Sequence, residues 1–136
     1  MALTPFASHC FGVAFARWLL QHEGDDASNH KHGTNALTIC IGRDPRIHGE
    51  RLADAFARGA ESVDGVTKPV RVLYTGVTTT PSMYEFCRAG KCDAAIIITA
   101  SHLPEDKNGI KFFSGSGGLD KEDIDELMAD KTILRD

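Results

Sequence analysis

The run Ala94–Ile98 is the feature that most constrains how this chain folds. It holds two alanines followed by three consecutive isoleucines, with no polar residue among them. An uninterrupted apolar run of this length is typical of a strand that is buried on both faces of a sheet. Such a strand needs helices above and below it, so the run predicts an α/β protein.

A polar segment, Thr99–Lys111, follows this run and carries a serine, a histidine and a lysine. Ser101 and His102 come directly after the predicted strand, at the sheet edge where open α/β proteins bind their ligands. Lys111 follows the turn-forming pair Asn108-Gly109, which can fold the chain back on itself. We therefore expect the serine, the histidine and the lysine to converge on one anionic substrate.

The residue types in this segment leave more than one interpretation open. A serine hydroxyl is a weak nucleophile until a base removes its proton, and adjacent side chains in an extended loop often point to opposite sides. Ser101 and His102 are therefore no catalytic dyad by themselves, and a surface loop with an N-cap serine is the alternative. A serine hydrolase is disfavoured, because the Gly-x-Ser-x-Gly elbow is missing and no aspartate is placed to orient His102. Lys111 is a point charge that suits a phosphate or an oxyanion.

Helices and strands alternate along the rest of the chain. Apolar periodicity and turn residues predict helices at about 4–21, 50–63, 82–89 and after Asp120, and strands at 36–41, 70–74, 94–98 and 111–113. This order predicts a three-layer αβα sandwich with a mostly parallel mixed sheet, in a single domain over residues 1–136. The loops around Arg43, Thr78 and Ser101 then lie at one edge of the sheet. Arg43 is a candidate phosphate-binding residue there, or alternatively part of an arginine–aspartate pair that holds the turn.

The first predicted helix is apolar on two sides. One stripe consists of Phe6, Cys10, Val13 and Ala14, and the other of Phe11, Phe15, Trp18 and Leu19. A helix that is apolar over so much of its surface is buried on more than one side. Two interpretations remain open, namely a central core helix and a helix that has lost a neighbouring domain.

Composition and charge narrow the classes of function. The net charge is −4 and no basic stripe is present, so we expect no nucleic-acid partner. No apolar run approaches the roughly 20 residues of a membrane helix, and the N-terminal segment is not a signal peptide. The four cysteines show no paired spacing, which predicts reduced thiols in an intracellular protein, cytoplasmic or alternatively in the plastid stroma. Zinc at Cys87, Cys92, His30 and His32 is a weaker alternative, because the spacing is irregular.

The segment Thr99–Lys111 resembles the phosphoserine loop of the α-D-phosphohexomutases, the phosphoglucomutase/phosphomannomutase superfamily. The family pattern is Thr-Ala-Ser-His-Asn-Pro, three variable residues, Asn-Gly, one residue and Lys, and this chain matches it except at Leu103. The stretches Gly42–Gly49 and Thr80-Pro81 resemble further family segments in the same order. The resemblance covers most of the chain and implies the first of that family's four domains.

The resemblance also implies an activity and roles for five residues. A phosphosugar mutase moves a phosphoryl group between C1 and C6 of a hexose phosphate, glucose or mannose, through a phosphoserine and a hexose 1,6-bisphosphate. Ser101 would carry the phosphoryl group and bind Mg²⁺ through it, His102 would assist proton movement, and Lys111 would neutralise charge or act as an acid or base. Arg43 and Asn108 would bind substrate phosphate. Glucose 1,6-bisphosphate would be the activator.

Several segments of that family have no counterpart in this chain. They are the Asp-Gly-Asp-Gly-Asp-Arg metal loop, the sugar-selecting loop, the phosphate-gripping loop and the Tyr-Asp-x-Arg-Gly stretch before the first helix. We therefore expect the lone chain to be incomplete as a catalyst. Its expected partners are a hexose phosphate and either the remaining mutase domains or a partner chain. A non-catalytic module that binds phosphosugars or is completed by a partner is the alternative.

Overall fold

A computed structural model of the protein describes residues 4–23, 36–43, 49–63, 69–77, 80–89, 92–98, 110–114 and 117–130. The helices are α1 (Pro5–Glu23), α2 (Gly49–Glu61), α3 (Thr80–Arg88) and α4 (Lys121–Met128), and the strands are β1 (Leu37–Arg43), β2 (Val70–Val77), β3 (Ala94–Ile98), β4 (Ile110–Ser114) and β5 (Gly117–Gly118). The predicted alternation is confirmed in these ranges, with three differences. Strands β1 and β2 continue past their predicted ends at Ile41 and Tyr74, so Arg43 belongs to β1 and not to a loop. The short strand β5 was not predicted and forms because its two glycines pair with β4 through their backbone.

The strands form one mixed sheet in the order β2–β1–β3–β4–β5. Strand β1 is parallel to both β2 and β3, while β4 runs antiparallel to β3 and β5 antiparallel to β4. The buried run Ala94–Ile98 is thus an inner strand, as its composition predicted. Because β1, β2 and β3 are parallel, their carboxyl ends meet at one edge, and β4 begins at that same edge. We call it the carboxyl edge.

Helices cover both faces of the sheet, so the three-layer αβα sandwich is confirmed. On one face, which we call the α1 face, α1, α2 and α4 pack on Leu37, Ile39 and Ile41 of β1. On the other, the α3 face, α3 packs around Cys40 of the same strand. Successive side chains of β1 therefore enter different cores, which is the alternation expected of a strand buried on both faces.

Helix α1 is a core helix. Its predicted apolar residues from Cys10 to Leu19 are buried, and the only exposed member of the two stripes is Phe6, which is 66% exposed in the first turn. Helix α2, the sheet and α4 cover the stripes, so the helix needs no further domain to explain its apolar surface. The assignment of Phe6 to a buried stripe was wrong, because the first turn extends beyond the residues that cover the rest of the helix.

The contact between α1 and α2 depends on small residues. A Cβ atom added at Gly12 would collide with the carbonyl oxygen of Phe56, and one added at Gly59 would collide with the carbonyl oxygen of His9. The buried hydroxyl of Ser8 donates a hydrogen bond of 2.7 Å to the carbonyl oxygen of Leu52. The two helices thus approach backbone to backbone, which leaves no volume for a larger side chain at either glycine.

Helix α4 begins at the predicted cap. Asp120 accepts a hydrogen bond of 2.8 Å from the backbone N–H of Asp123, whose carboxylate accepts one of 3.3 Å from the backbone N–H of Asp120. Leu127 is buried in the α1-face core, with Ile124 and Met128 packed against it, as predicted. No helix among the residues that the structure describes is both long and apolar enough to cross a membrane.

Candidate functional site

The carboxyl edge is a row of paired residues across four strands. Arg43, at the end of β1, lies in register with Val77 of β2 and with Ile98 of β3. Ile98 is also paired with Ile110, the first residue of β4. These four residues mark one line across the sheet. The segments that follow β1, β2 and β3 in the sequence begin at this line.

The segment 99–109 starts and ends on this line. Ile98 and Ile110 are antiparallel partners, so the residues on either side of the segment lie next to each other on this line. Ser101, His102 and Asn108 lie in this segment, outside the described residues, and their predicted roles stay predictions. The segment that contains them is nevertheless joined to the carboxyl edge at both ends, because Ile98 and Ile110 are paired.

Lys111 is the second residue of β4 and is paired with Ile97. Phe112 packs in the α1-face core and Phe113 in the α3-face core, so alternation places Lys111 on the α3 face. Its side chain is exposed, and it forms no salt bridge with any described residue. An exposed ammonium group beside the segment 99–109 is chemically suited to an anion.

Arg43 lies on the opposite face of the sheet from Lys111. Ile39 and Ile41 belong to the α1-face core, so alternation along β1 places Arg43 on the α1 face. The side chain is half-buried, and its Nε donates a hydrogen bond of 2.7 Å to the hydroxyl oxygen of Tyr74 on β2. The two candidate cations thus stand at the same edge on opposite faces, with β3 between their strands. The aspartate that the alternative interpretation paired with Arg43 lies outside the described residues.

A β-bulge in β2 lies beside Arg43, and sequence reasoning missed both the bulge and Tyr74. Ile41 pairs with Tyr74 but Gly42 pairs with Gly76, so Thr75 is an extra residue. Gly76 has a φ of 77°, a backbone conformation that favours glycine. A glycine directly after a strand-like run was the available signal, since glycine inside a strand often marks a bulge.

Three buried thiols lie in the α3-face core: Cys40, Cys87 and Cys92. None of the three forms a disulfide, as predicted, and a hydrogen bond with Cys40 raises the pKa of the Cys92 thiol to about 12. Burial adds to this rise, while a hydrogen bond with Cys87 opposes it. His30 and His32 of the weaker zinc alternative lie outside the described residues, and the described residues contain no group of three His, Cys, Asp or Glu that could hold a metal ion.

Comparisons with known proteins agree with this architecture. Residues 2–132 match the family model for phosphoglucomutase/phosphomannomutase, alpha/beta/alpha domain I. The phosphoglucosamine mutase of Pediococcus pentosaceus is 36% identical over 134 residues, which cover 98% of this chain and 26% of that protein. The phosphoglucosamine mutase of Carboxydothermus hydrogenoformans is 41% identical over 100 residues, which cover 74% of this chain and 21% of that protein.

A solved structure shares the fold. A phosphoglucomutase/phosphomannomutase family protein from Burkholderia thailandensis superposes with a TM-score of 0.68, at 24% identity, over 98% of this chain and 27% of that chain. The match to the Pediococcus pentosaceus and Burkholderia thailandensis proteins covers 98% of this chain. This chain therefore spans about a quarter of the length of those two proteins. The chain belongs to the phosphoglucomutase/phosphomannomutase family and matches its α/β/α domain I.

Proposed function

We propose that this chain is the phosphoryl-carrier domain of a sugar-phosphate mutase, in which Ser101 accepts a phosphoryl group and returns it to the sugar. The observation that supports this most is the pairing of Ile98 with Ile110, which ties both ends of the segment 99–109 to the carboxyl edge. Arg43 and Lys111 stand at that edge on opposite faces of the sheet. A phosphate carried by the segment between them would lie near two cations.

The proposed step is a transfer between two oxygen atoms. A bond forms between the Ser101 hydroxyl oxygen and the phosphorus of a sugar bisphosphate, while the bond from that phosphorus to a sugar oxygen breaks. The serine proton ends on the released sugar oxygen, and His102 assists its movement. In a full cycle, a sugar monophosphate first accepts the phosphoryl group of Ser101 on its free hydroxyl oxygen and becomes the bisphosphate. The step above then removes the other phosphate, so the released monophosphate carries its phosphate on a different oxygen. Such transfers depend mainly on positioning and on charge stabilisation, and little covalent chemistry is required of the protein.

Lys111 and Arg43 would supply charge from two directions. Their strands, β4 and β1, are two strand spacings apart, which is about 10 Å. Because the two side chains also leave opposite faces of the sheet, the two cations suit the two phosphates of one bisphosphate rather than opposite sides of one phosphate. Asn108 would add a neutral hydrogen bond from the segment itself.

The proposal includes a Mg²⁺ ion that would bind the phosphate on Ser101. The described residues offer no group of three carboxylate, histidine or cysteine ligands, so they do not form a magnesium site by themselves. The further ligands would come from the other mutase domains or from a partner chain. When bound, the ion would neutralise charge on the transferring phosphoryl group.

Glucosamine phosphate is the first sugar to test. The relatives compared above are named phosphoglucosamine mutases, and glucose and mannose phosphates, which the sequence resemblance implied, are the alternatives. The other mutase domains or a partner chain are the proposed source of sugar selection, because the sequence resemblance assigns that role to a loop that this chain lacks.

Release of sugar monophosphate tests the proposal. The chain is incubated with Mg²⁺ and the 1,6-bisphosphate of glucosamine, glucose or mannose, and ³¹P NMR follows the sugar phosphates. We expect monophosphate to appear in amounts that match the protein, at similar rates with the three sugars because sugar selection is assigned to other domains, and none to appear with the variant Ser101→Ala. Bisphosphate that binds but yields no monophosphate would contradict the carrier role and favour a binding module.

A further inference from the structure

We infer that Tyr74 is a positioning residue of this site, whose hydroxyl holds the Arg43 guanidinium at the carboxyl edge in the orientation that meets a phosphate. The inference rests on the proposed function in one respect, since it requires a phosphate at this edge. It adds Tyr74 to the residues of the candidate site. Tyr74 lies outside the segment whose sequence pattern supplied most of the other candidates.

Packing does not explain Tyr74. Its side chain is 49% exposed, and it belongs to neither the α1-face core nor the α3-face core. Large aromatic side chains contribute to stability mainly through buried area, and this one leaves about half of its surface in solvent. Its specific interaction is the hydrogen bond of 2.7 Å that its hydroxyl accepts from Arg43 Nε.

A β-bulge separates Tyr74, the partner of Ile41, from Val77, the partner of Arg43. Thr75, the extra residue, donates a hydrogen bond of 3.0 Å from its hydroxyl to the carbonyl oxygen of Ile41, which supports the chain where the ladder is interrupted. Gly76 then takes the positive φ that returns β2 to register with β1. Bulges beside active sites often redirect a side chain. Here the residue before the bulge is Tyr74, and it reaches diagonally to Arg43.

A tyrosine partner suits an arginine that binds phosphate. The phenol is neutral, so unlike a carboxylate partner it adds no negative charge beside the planar guanidinium that it orients. Tyr74 binds Nε, and the groups of the guanidinium that suit a phosphate best are the terminal nitrogens, each of which carries two N–H groups. Fixing the plane before the ligand arrives lowers the entropy that is lost on binding.

The substitution Tyr74→Phe tests this inference, because it removes only the hydroxyl. The measured quantities are the half-saturating bisphosphate concentration and the maximal rate in the monophosphate-release assay. A net hydrogen bond of ordinary strength corresponds to about a fivefold effect on binding. We therefore expect Tyr74→Phe to raise the half-saturating concentration about fivefold and to change the maximal rate less. Tyr84→Phe is the matched control, since Tyr84 is 38% exposed but stacks on Phe113 of the α3-face core, and it should behave as the wild type.

A double substitution separates positioning from a general structural effect. If Tyr74 acts through Arg43, Tyr74→Phe should add nothing in a protein that already carries Arg43→Gln. Additive effects of the two substitutions, or a Tyr74→Phe protein with wild-type half-saturation, would overturn the inference. Thermal unfolding of each variant checks that the fold is intact.

A binding measurement distinguishes failure of the positioning role of Tyr74 from failure of the proposed function. Inorganic phosphate is titrated into the chain while NMR follows the Nε–H resonance of Arg43, with no phosphoryl transfer required. We expect a saturable shift in the wild type and in Tyr84→Phe, and about fivefold weaker binding in Tyr74→Phe. If no variant releases monophosphate but this pattern appears, the carrier role fails and the positioning role of Tyr74 stands. If the Arg43 signal does not respond to phosphate, the positioning role is overturned.

Discussion

The two faces of the sheet are built from different side chains. On the α1 face, Phe15 is fully buried and packs with its ring centroid 6.3 Å from that of Phe56 and 4.9 Å from that of Phe112. On the α3 face, the core between the nine-residue helix α3 and the sheet includes Met83 and the thiols Cys40, Cys87 and Cys92, beside Ile97 and Phe113. The α1-face core therefore contains several packed rings, whereas small or flexible sulfur-containing side chains make up much of the α3-face core.

This difference suggests that the two faces respond differently to changes of side-chain volume. The α1 face joins backbone to backbone at Gly12 and Gly59 and stacks rings between three helices and the sheet, so changes of volume there are poorly tolerated. The α3 face carries Lys111, whereas Arg43 and Tyr74 lie on the α1 face. The adaptable core of the α3 face tolerates changes of shape better, because Met and Cys side chains repack more easily.

The largest expected effect is that of Phe15→Ala on the α1 face. Removing a fully buried ring that contacts Trp18, Phe56 and Phe112 should lower the free energy of unfolding by about 4 kcal/mol. The volume-conserving change Met83→Leu on the α3 face should lower it by about 1 kcal/mol. Urea unfolding of both variants measures the difference, and equal losses would remove the contrast between the faces.

The close approach of α1 and α2 gives the next effect. In Gly12→Ala the new methyl group would meet the carbonyl oxygen of Phe56 and the backbone nitrogen of Ala60, neither of which is a flexible side-chain atom. We expect a loss of about 2 kcal/mol in the free energy of unfolding, even though alanine favours a helix by about 1 kcal/mol.

Gly118→Ala is the control for that change. A Cβ atom at Gly118 meets nothing within 4 Å, so this variant should unfold at nearly the wild-type urea concentration. If Gly12→Ala also unfolded like the wild type, the two helices would be further apart than the structure indicates.

The smallest expected effect concerns the thiols of the α3 face. The pKa of Cys92 is raised from 9.0 to about 12, so the folded protein keeps this proton at a pH where the unfolded chain loses it. The stability contributed by the protonated thiol is therefore complete below about pH 9 and is lost as the pH rises toward 12. The free energy of unfolding should fall less steeply over this window in Cys92→Ala than in the wild type.

Met83→Leu provides the comparison, because Met83 is a buried side chain of the same core and carries no titratable group. It should retain the wild-type slope between pH 9 and 12. Equal slopes in the wild type and in Cys92→Ala would mean that the thiol proton of Cys92 does not contribute to stability.

The sequence predicted local structure well because the relevant signals are local. The isoleucine run, the N-cap at Asp120 and the two stripes of α1 each depend on residues within a few positions of one another. They correctly indicated an inner strand, a helix start and a helix that is buried on more than one side. What covers α1 was left open, because periodicity shows that a surface is buried but not which element buries it.

The features that sequence reasoning missed depend on contacts between distant residues. The exposure of Phe6 reflects where the neighbours of α1 end, and the bond between Tyr74 and Arg43 depends on the register of β1 and β2 across a bulge. Register is decided by pairing and by the surrounding core, and a single glycine was the only local sign of the bulge. The roles of Ser101, His102 and Asn108 remain predictions that chemistry must test.

The most direct test of the carrier role is the location of the phosphate on the protein. The purified chain is exposed to glucose 1,6-bisphosphate and Mg²⁺, and its intact mass and peptide map are compared with those of Ser101→Ala. The account predicts one added phosphate, found on the peptide that contains Ser101 and absent from the variant. Phosphate on another residue, or an unchanged mass while the bisphosphate is bound, would contradict it.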